Sequence, residues 1–359
     1  MKSIFAIPLV PVLLAVALAG CGGDDPKGTS SDNGSTEAVE GGEPNFEASM
    51  QTALTSLANN DVAGAAKAAD EAVAANSESA EALLVRGQAA YRAKDYKRAL
   101  ADFSAVVNEK SLPAGLRSDA WVARGVTEMA QKNHESARIS FLRAMRLNRK
   151  NAAAWYHQGV LLRDVYHFDD AAIEQFTMAA GCPGVPADRV KKIRGEILPA
   201  LMKSSQAATA SLLGSGKRDS ALAAKLIAEG DGLQKKNLLT AAAKKYEAAL
   251  AADRTSESAA AKFATLIPKV DKSATGVTKA LEAYRVLCAL RPSRLANYQN
   301  AALLAYQNKR WAMAVQIMDR ALARYPEDTR TLDLLIASLK KAGRTRLQEA
   351  WGAYRAELK

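Results

Sequence analysis

The residue types that most often carry catalysis are sparse in this 359-residue chain. Imidazole is confined to His134, His157 and His167, none of them in an HExxH pair or beside cysteines at zinc-ligand spacing. His134 falls at an expected helix–helix turn, a place for packing or surface contact. The run Leu213-Gly214-Ser215-Gly216-Lys217-Arg218 has the outline of the end of a phosphate loop. However, Ser211 stands where the upstream glycine belongs, and Arg218 replaces the hydroxyl that would coordinate magnesium. Asp169 and Asp170 place two carboxylates together, but at an expected helix start they suit the positive end of the helix dipole. No partner motif gives them acid–base work. The expectation is a non-enzymatic chain with no catalytic residue, metal or cofactor.

The elements that carry these residues are helical and repeated. Gly87 is followed after twelve residues by Ala99 and then by Phe103 and Val106, and Gly125 is followed at the same offsets by Ala137, Phe141 and Ala144. Offsets of three and four place the alanine, the aromatic and the small residue on one helix face, and the glycine lets that helix come close. A period near 34 in an all-helical pattern reads as an α-solenoid of antiparallel hairpins.

With Trp121 and Trp155 each four residues before a glycine, the pattern resembles the tetratricopeptide repeat. Units at 80–117, 118–151, 223–256 and 295–328 match well, and those at 46–79, 152–186, 261–294 and 329–359 less closely. The third unit carries an extra residue near 166–170, and Pro268 predicts an irregular first helix in the sixth. Residues 187–220 fit the repeat poorly and read as one long helix interrupted by Pro199 and ended by Gly214-Ser215-Gly216. The expected organisation is a signal segment 1–20, a tether 21–45, an N-terminal array 46–186, a helical linker 187–220 and a C-terminal array 221–359.

Lys2 precedes an apolar run over residues 4–19, the layout of a secretory signal, in which Pro8, Pro11 and the short length disfavour a spanning helix. The run ends in Leu18-Ala19-Gly20-Cys21, which resembles a bacterial lipobox. That resemblance implies cleavage before Cys21 and its lipidation, and with Gly22 rather than aspartate next in line, an outer-membrane destination facing the periplasm in a diderm host. An ordinary signal peptide with an incidental cysteine is the alternative. Residues 22–44 are rich in Gly, Ser, Asp and Glu and cannot bury enough surface to order themselves. As a coil they reach about 25–30 Å.

Charge is divided unequally. Residues 1–180 hold 18 Lys+Arg against 22 Asp+Glu, and residues 181–359 hold 31 against 16. The basic half predicts either a positive face for an anionic partner or scattered solvating side chains. Nucleic acid is not expected as a partner of an exported chain without an aromatic-interleaved basic motif. Of the remaining cysteines, Cys288 is expected to be buried near Leu281 and Tyr284, and Cys182 beside Pro183 to be more open. A bridge between them would require the solenoid to fold back on itself.

The resemblance further implies that the first helix of each hairpin lines a binding groove. The side chains it places there include Gln88, Tyr91, Arg92, Met129, Tyr156 and Arg163, then Gln234, Lys235, Gln299 and Tyr306. Tyrosine and arginine are frequent binding hot spots, although Tyr91, Tyr156 and Tyr306 equally suit packing against the next repeat. Some members of the family bind C-terminal carboxylates through Lys, Asn and Arg on successive first helices, and the resemblance does not extend to that mechanism in the N-terminal array, where Leu84, Gln88, Val122, Val126, Tyr156 and Val160 occupy the corresponding sites. The reading is a scaffold, held to the membrane by its N-terminal lipid, for envelope proteins or peptide segments. Binding of an anionic polymer by the basic half is the alternative.

Overall fold

The computed structural model describes residues 45–358 apart from 215 and 217. The signal segment, Cys21 and all but the end of the tether lie outside the described residues, as do Ser215 and Lys217. Every regular element among the described residues is helical. Residues up to His157 form one compact unit and those from Gln158 a second. The first holds α1 (Phe46–Ala58), α2 (Val62–Ala75), α3 (Ala80–Arg92), α4 (Tyr96–Asn108), α5 (Ala114–Ala130) and α6 (His134–Leu147), and α7 (Ala152–Asp164) straddles the boundary. The second holds α8 (Asp169–Gly181), α9 (Ala187–Lys192), α10 (Leu198–Leu213), α11 (Ser220–Lys235), α12 (Leu239–Ala252) and α13 (Glu257–Val270). It continues with α14 (Ala274–Leu290), α15 (Leu295–Gln307), α16 (Trp311–Leu322), α17 (Thr329–Lys341) and α18 (Thr345–Ala356).

The glycine of the repeat is a socket for the aromatic of its partner helix. A Cβ built on Gly87 would lie 2.6 Å from Phe103 Cε1, one on Gly125 2.5 Å from Phe141 Cε1, and one on Gly230 2.5 Å from Tyr246 Cε1. The ring therefore rests on bare backbone. The alanines at the matching offset, Ala99, Ala137, Ala172, Ala242, Ala280 and Ala314, are fully buried. A larger residue at either site would push the two helices apart, which close-packed interiors resist.

The turn inside six of the hairpins repeats as well. Asn60, Lys94, Lys132, Asn237, Lys309 and Gly343 have φ between 59° and 70°. The next residue's N–H reaches back five positions, as from Asp95 to Ala90 O at 2.9 Å and from Asn133 to Glu128 O at 2.8 Å. This left-handed ending satisfies carbonyls at the helix C-terminus and reverses the chain in a few residues. In the third repeat His167 takes the positive φ and Phe168 N–H reaches six positions back, to Leu162 O. The extra residue expected there is absorbed in this turn, and Phe176 still packs on Gly159, where an added Cβ would meet its ring at 3.2 Å.

Two elements differ from expectation or refine it. Helix α13 runs unbroken from Glu257 to Val270 with Pro268 inside it, so the irregular first helix expected of the sixth repeat is not found. The long helix through 187–213 is continuous, with a π turn at Ile193–Ile197 between α9 and α10. Pro199 cannot donate to Gly195 O and its ring crowds that carbonyl, and the wider turn relieves the clash.

Within the second unit, α8 packs against residues about 150 positions later. Arg324, almost wholly buried, donates to Asp170 Oδ2 at 2.9 Å, Glu174 Oε1 at 2.6 Å and Pro292 O at 3.2 Å. Arg320 donates to Asp170 Oδ1 at 3.2 Å and lies over the Phe168 ring. Burial pushes the Asp170 carboxyl upward, but the charges of Arg320 and Arg324 outweigh it and hold the group below the usual carboxylate range. The fold-back judged necessary for a Cys182–Cys288 bridge is thus present in this ionic form. Both thiols are nevertheless free, and burial pushes that of Cys288 up to about 12.

In the first unit, adjoining repeats are tied by Asn151. Its amide donates to Ser118 Oγ at 2.9 Å and Asp119 Oδ1 at 2.8 Å, while its carbonyl accepts from Ala154 N at 3.2 Å. Burial pushes the Asp119 carboxyl up to about 6, and the Asn151 hydrogen bond opposes this only in part. The folded state thus holds this proton more tightly than the unfolded chain does. Stability falls as pH rises from the ordinary aspartate value to about 6 and stays lower above it, by ~3 kcal/mol.

Gly125→Ala should lower stability by about 1–3 kcal/mol, with part of the loss recovered in Gly125→Ala/Phe141→Leu, as read by urea denaturation. Asp119→Asn keeps the bond from Asn151 and removes the buried charge. Its melting temperature should exceed that of the parent at neutral pH, with the difference closing below about pH 4.

Candidate functional site

The first helices stack side by side in the first unit, and the sequence pattern places their binding stripe at Gln88 and Tyr91 on α3 and at Val122, Val126 and Met129 on α5, where Asp119 shares the same register. The structure divides these residues between packing and surface. Gln88 is buried, with neither amide atom hydrogen-bonded. Arg92 reaches back to Leu57 O and closes the end of α1, so its charge serves the joint between repeats. Tyr91 is half-buried with its ring 5.9 Å from that of Tyr96, and burial, aided by Tyr96, raises its hydroxyl pKa. Met129 and Val126 are also half-buried. Tyr156 is buried edge-on to His157, whose ring stacks on Phe141 at 5.8 Å. His157 is accordingly a packing residue on the same aromatic that fills the glycine socket.

The predicted residues of the second unit are more often occupied by intramolecular bonds. Arg163 lies over Phe176 and forks onto Asp164 at 2.5 and 2.9 Å. Gln234 Oε1 lies 2.9 Å from the Tyr246 hydroxyl, which also reaches Asp231 Oδ1 at 2.6 Å. Lys262 donates to the same Asp231 oxygen at 2.7 Å. Those contacts, the lysine first, hold the Asp231 carboxyl below its usual range. Gln299 donates to Asp328 Oδ1 at 2.9 Å and Thr331 Oγ1 at 3.2 Å, joining α15 to α17. Lys235 is exposed and Tyr306 half-buried.

The remaining sequence candidates are dispersed. His134 begins α6 and is half-buried, and His167 Nδ1 lies 3.2 Å from Arg163 O within its own turn. Among the described residues, no group of three or more His, Cys, Asp or Glu could hold a metal ion. No helix among them is long and apolar enough to cross a membrane. What the surface offers is non-covalent contact: aromatic and thioether area, with polar groups at fixed helical spacing. Sequence reasoning did not single out Asp119. Its signal was its register, since positions 119, 122, 126 and 129 form one stripe of α5.

Residues 51–115 match the family model of the tetratricopeptide repeat. No curated protein matches the chain. Similar solved structures include the MamA protein, at 13% identity over 79% of this chain and 94% of that one, with a TM-score of 0.29. The TPR2AB domain of yeast Sti1, solved with pHSP90, is 13% identical over 87% of this chain and 98% of that one, with a TM-score of 0.29. A tetratricopeptide repeat protein of Parabacteroides merdae is 10% identical over 82% and 98%, with a TM-score of 0.32. Residues 51–115 thus carry the tetratricopeptide repeat, and the glycine–aromatic socket of that segment recurs in later hairpins.

Proposed function

We propose that this chain is an exported, lipid-anchored scaffold that holds an envelope protein, or a peptide segment of one, on the first-helix face of its repeats. The observation that carries the reading is the stacking of first helices into a preformed surface whose scaffold residues are locked by packing. A partner meeting such a surface is spared part of the ordering cost of binding. Acylation at Cys21 would confine the scaffold to a membrane, and the tether would give the repeats range over it. An outer-membrane position facing the periplasm follows in a diderm host, with accessory work in envelope, pilus or secretion assembly. The function on this reading is binding, without catalysis or a cofactor.

The basic surplus of the second half supports a polymer-binding reading less well. Many of its cations are committed to ion pairs: Lys245 with Glu229, Lys262 with Asp231, Lys279 with Glu247, and Arg291 and Arg294 with Glu257. Pairing of this kind lowers the positive potential at these positions, while residues 181–359 keep their excess of 31 basic over 16 acidic residues.

Intact mass of the native protein should show loss of the first twenty residues and the addition of acyl chains at Cys21. The full-length mass, or a cleaved but unacylated chain, would remove the anchor. Affinity purification from detergent-solubilised envelopes should lose a partner when Tyr91 and Met129 are both changed to alanine, with the helical signal by circular dichroism unchanged. An unaltered partner set would overturn the assignment of this face.

A further inference from the structure

Asp119 is the charged member of the α5 stripe. Val122 beneath it is buried, while Val126 and Met129 farther along are half-buried. Asn151 holds Asp119 Oδ1 at 2.8 Å through a neutral amide, which fixes the carboxylate without neutralising it. Among the described residues no cation is paired with Asp119. Nearby carboxylates are treated differently: Asp102 takes Arg86 Nη2 at 2.6 Å, and Glu128 takes Arg124 Nε at 3.1 Å. An anion that is mostly withdrawn from water but left without a counter-charge is complementary to a cation supplied from outside.

We propose that the first-helix face of the 45–157 unit binds a peptide segment carrying a lysine or arginine beside apolar side chains. Asp119 accepts the cationic group, and Val126 and Met129 receive the neighbouring apolar one. This inference rests on the groove reading above and specifies the partner it takes. A charge-assisted bond to a carboxylate already oriented by Asn151 gives register to a segment that would otherwise slide along an apolar stripe. The same charge excludes acidic segments, because it would meet a like charge at short range.

The test is fluorescence anisotropy with two short labelled synthetic peptides, one alternating leucine with lysine and the other leucine with glutamate. They are titrated against the full chain and its Asp119→Asn and Met129→Ala variants. The amide introduced by Asp119→Asn would still accept the Asn151 bond, so the fold is kept while the charge is removed. The lysine peptide should bind the parent protein at least about tenfold tighter than the glutamate peptide, and Asp119→Asn should erase most of that preference. Weakening by Met129→Ala but not by Asp119→Asn would overturn the role of Asp119 and leave the groove standing. Binding unchanged by both variants would overturn the groove as well. Failure of the lysine peptide to bind, or equal binding of the two peptides, would overturn the cationic specificity.

Discussion

The contact on which the rest of the structure depends is that of an aromatic ring with the bare backbone of a glycine in the facing helix. Gly87 with Phe103, Gly125 with Phe141, Gly159 with Phe176 and Gly230 with Tyr246 repeat it in both units. It sets the distance between the two helices of a hairpin, and with that distance fixed the buried alanines can touch. A helix so rich in alanine has little apolar area per residue, and its stability comes from how closely it is approached. Each hairpin still has an unburied side, which the next hairpin covers.

Much of this was legible in the sequence because it is local. The offset from glycine to alanine to aromatic spans one hairpin, and helical periodicity places all three residues without knowledge of the rest of the chain. The extra residue in the third repeat was likewise visible, and the turn at His167 takes it up. Pro268 points to an irregular helix, yet α13 runs through it and ends two residues later, at Val270. The contact between α8 and α16 had no local signal. Asp169 and Asp170 look like ordinary helix-start carboxylates, and only the folded chain shows Asp170 between two arginines.

The candidate site was legible as a stripe but not in its allocation. Helical register identifies which residues share the first-helix face, yet it does not separate side chains that bind from side chains that brace. Arg92 caps a neighbouring helix, Gln299 joins two first helices, and Gln234 faces a tyrosine hydroxyl. These three side chains are met by partners within the chain, whereas Gln88 stays buried without one, which register does not foretell either. The complement of these bracing contacts is half-buried apolar area at Val126 and Met129, beside Asp119, whose carboxylate is held by the neutral Asn151 amide.

Repeat proteins change length readily, because a hairpin inserted in the middle of a solenoid meets the same neighbours as any other hairpin. Here Arg324 is buried against Asp170 and Glu174, 154 and 150 positions earlier in the chain. Adding or deleting one hairpin between them would carry the arginine away from its anions and leave buried charge unmatched at both ends. The ion cluster thus fixes the number of repeats between α8 and α16, turning an architecture that is open-ended by nature into one of set length.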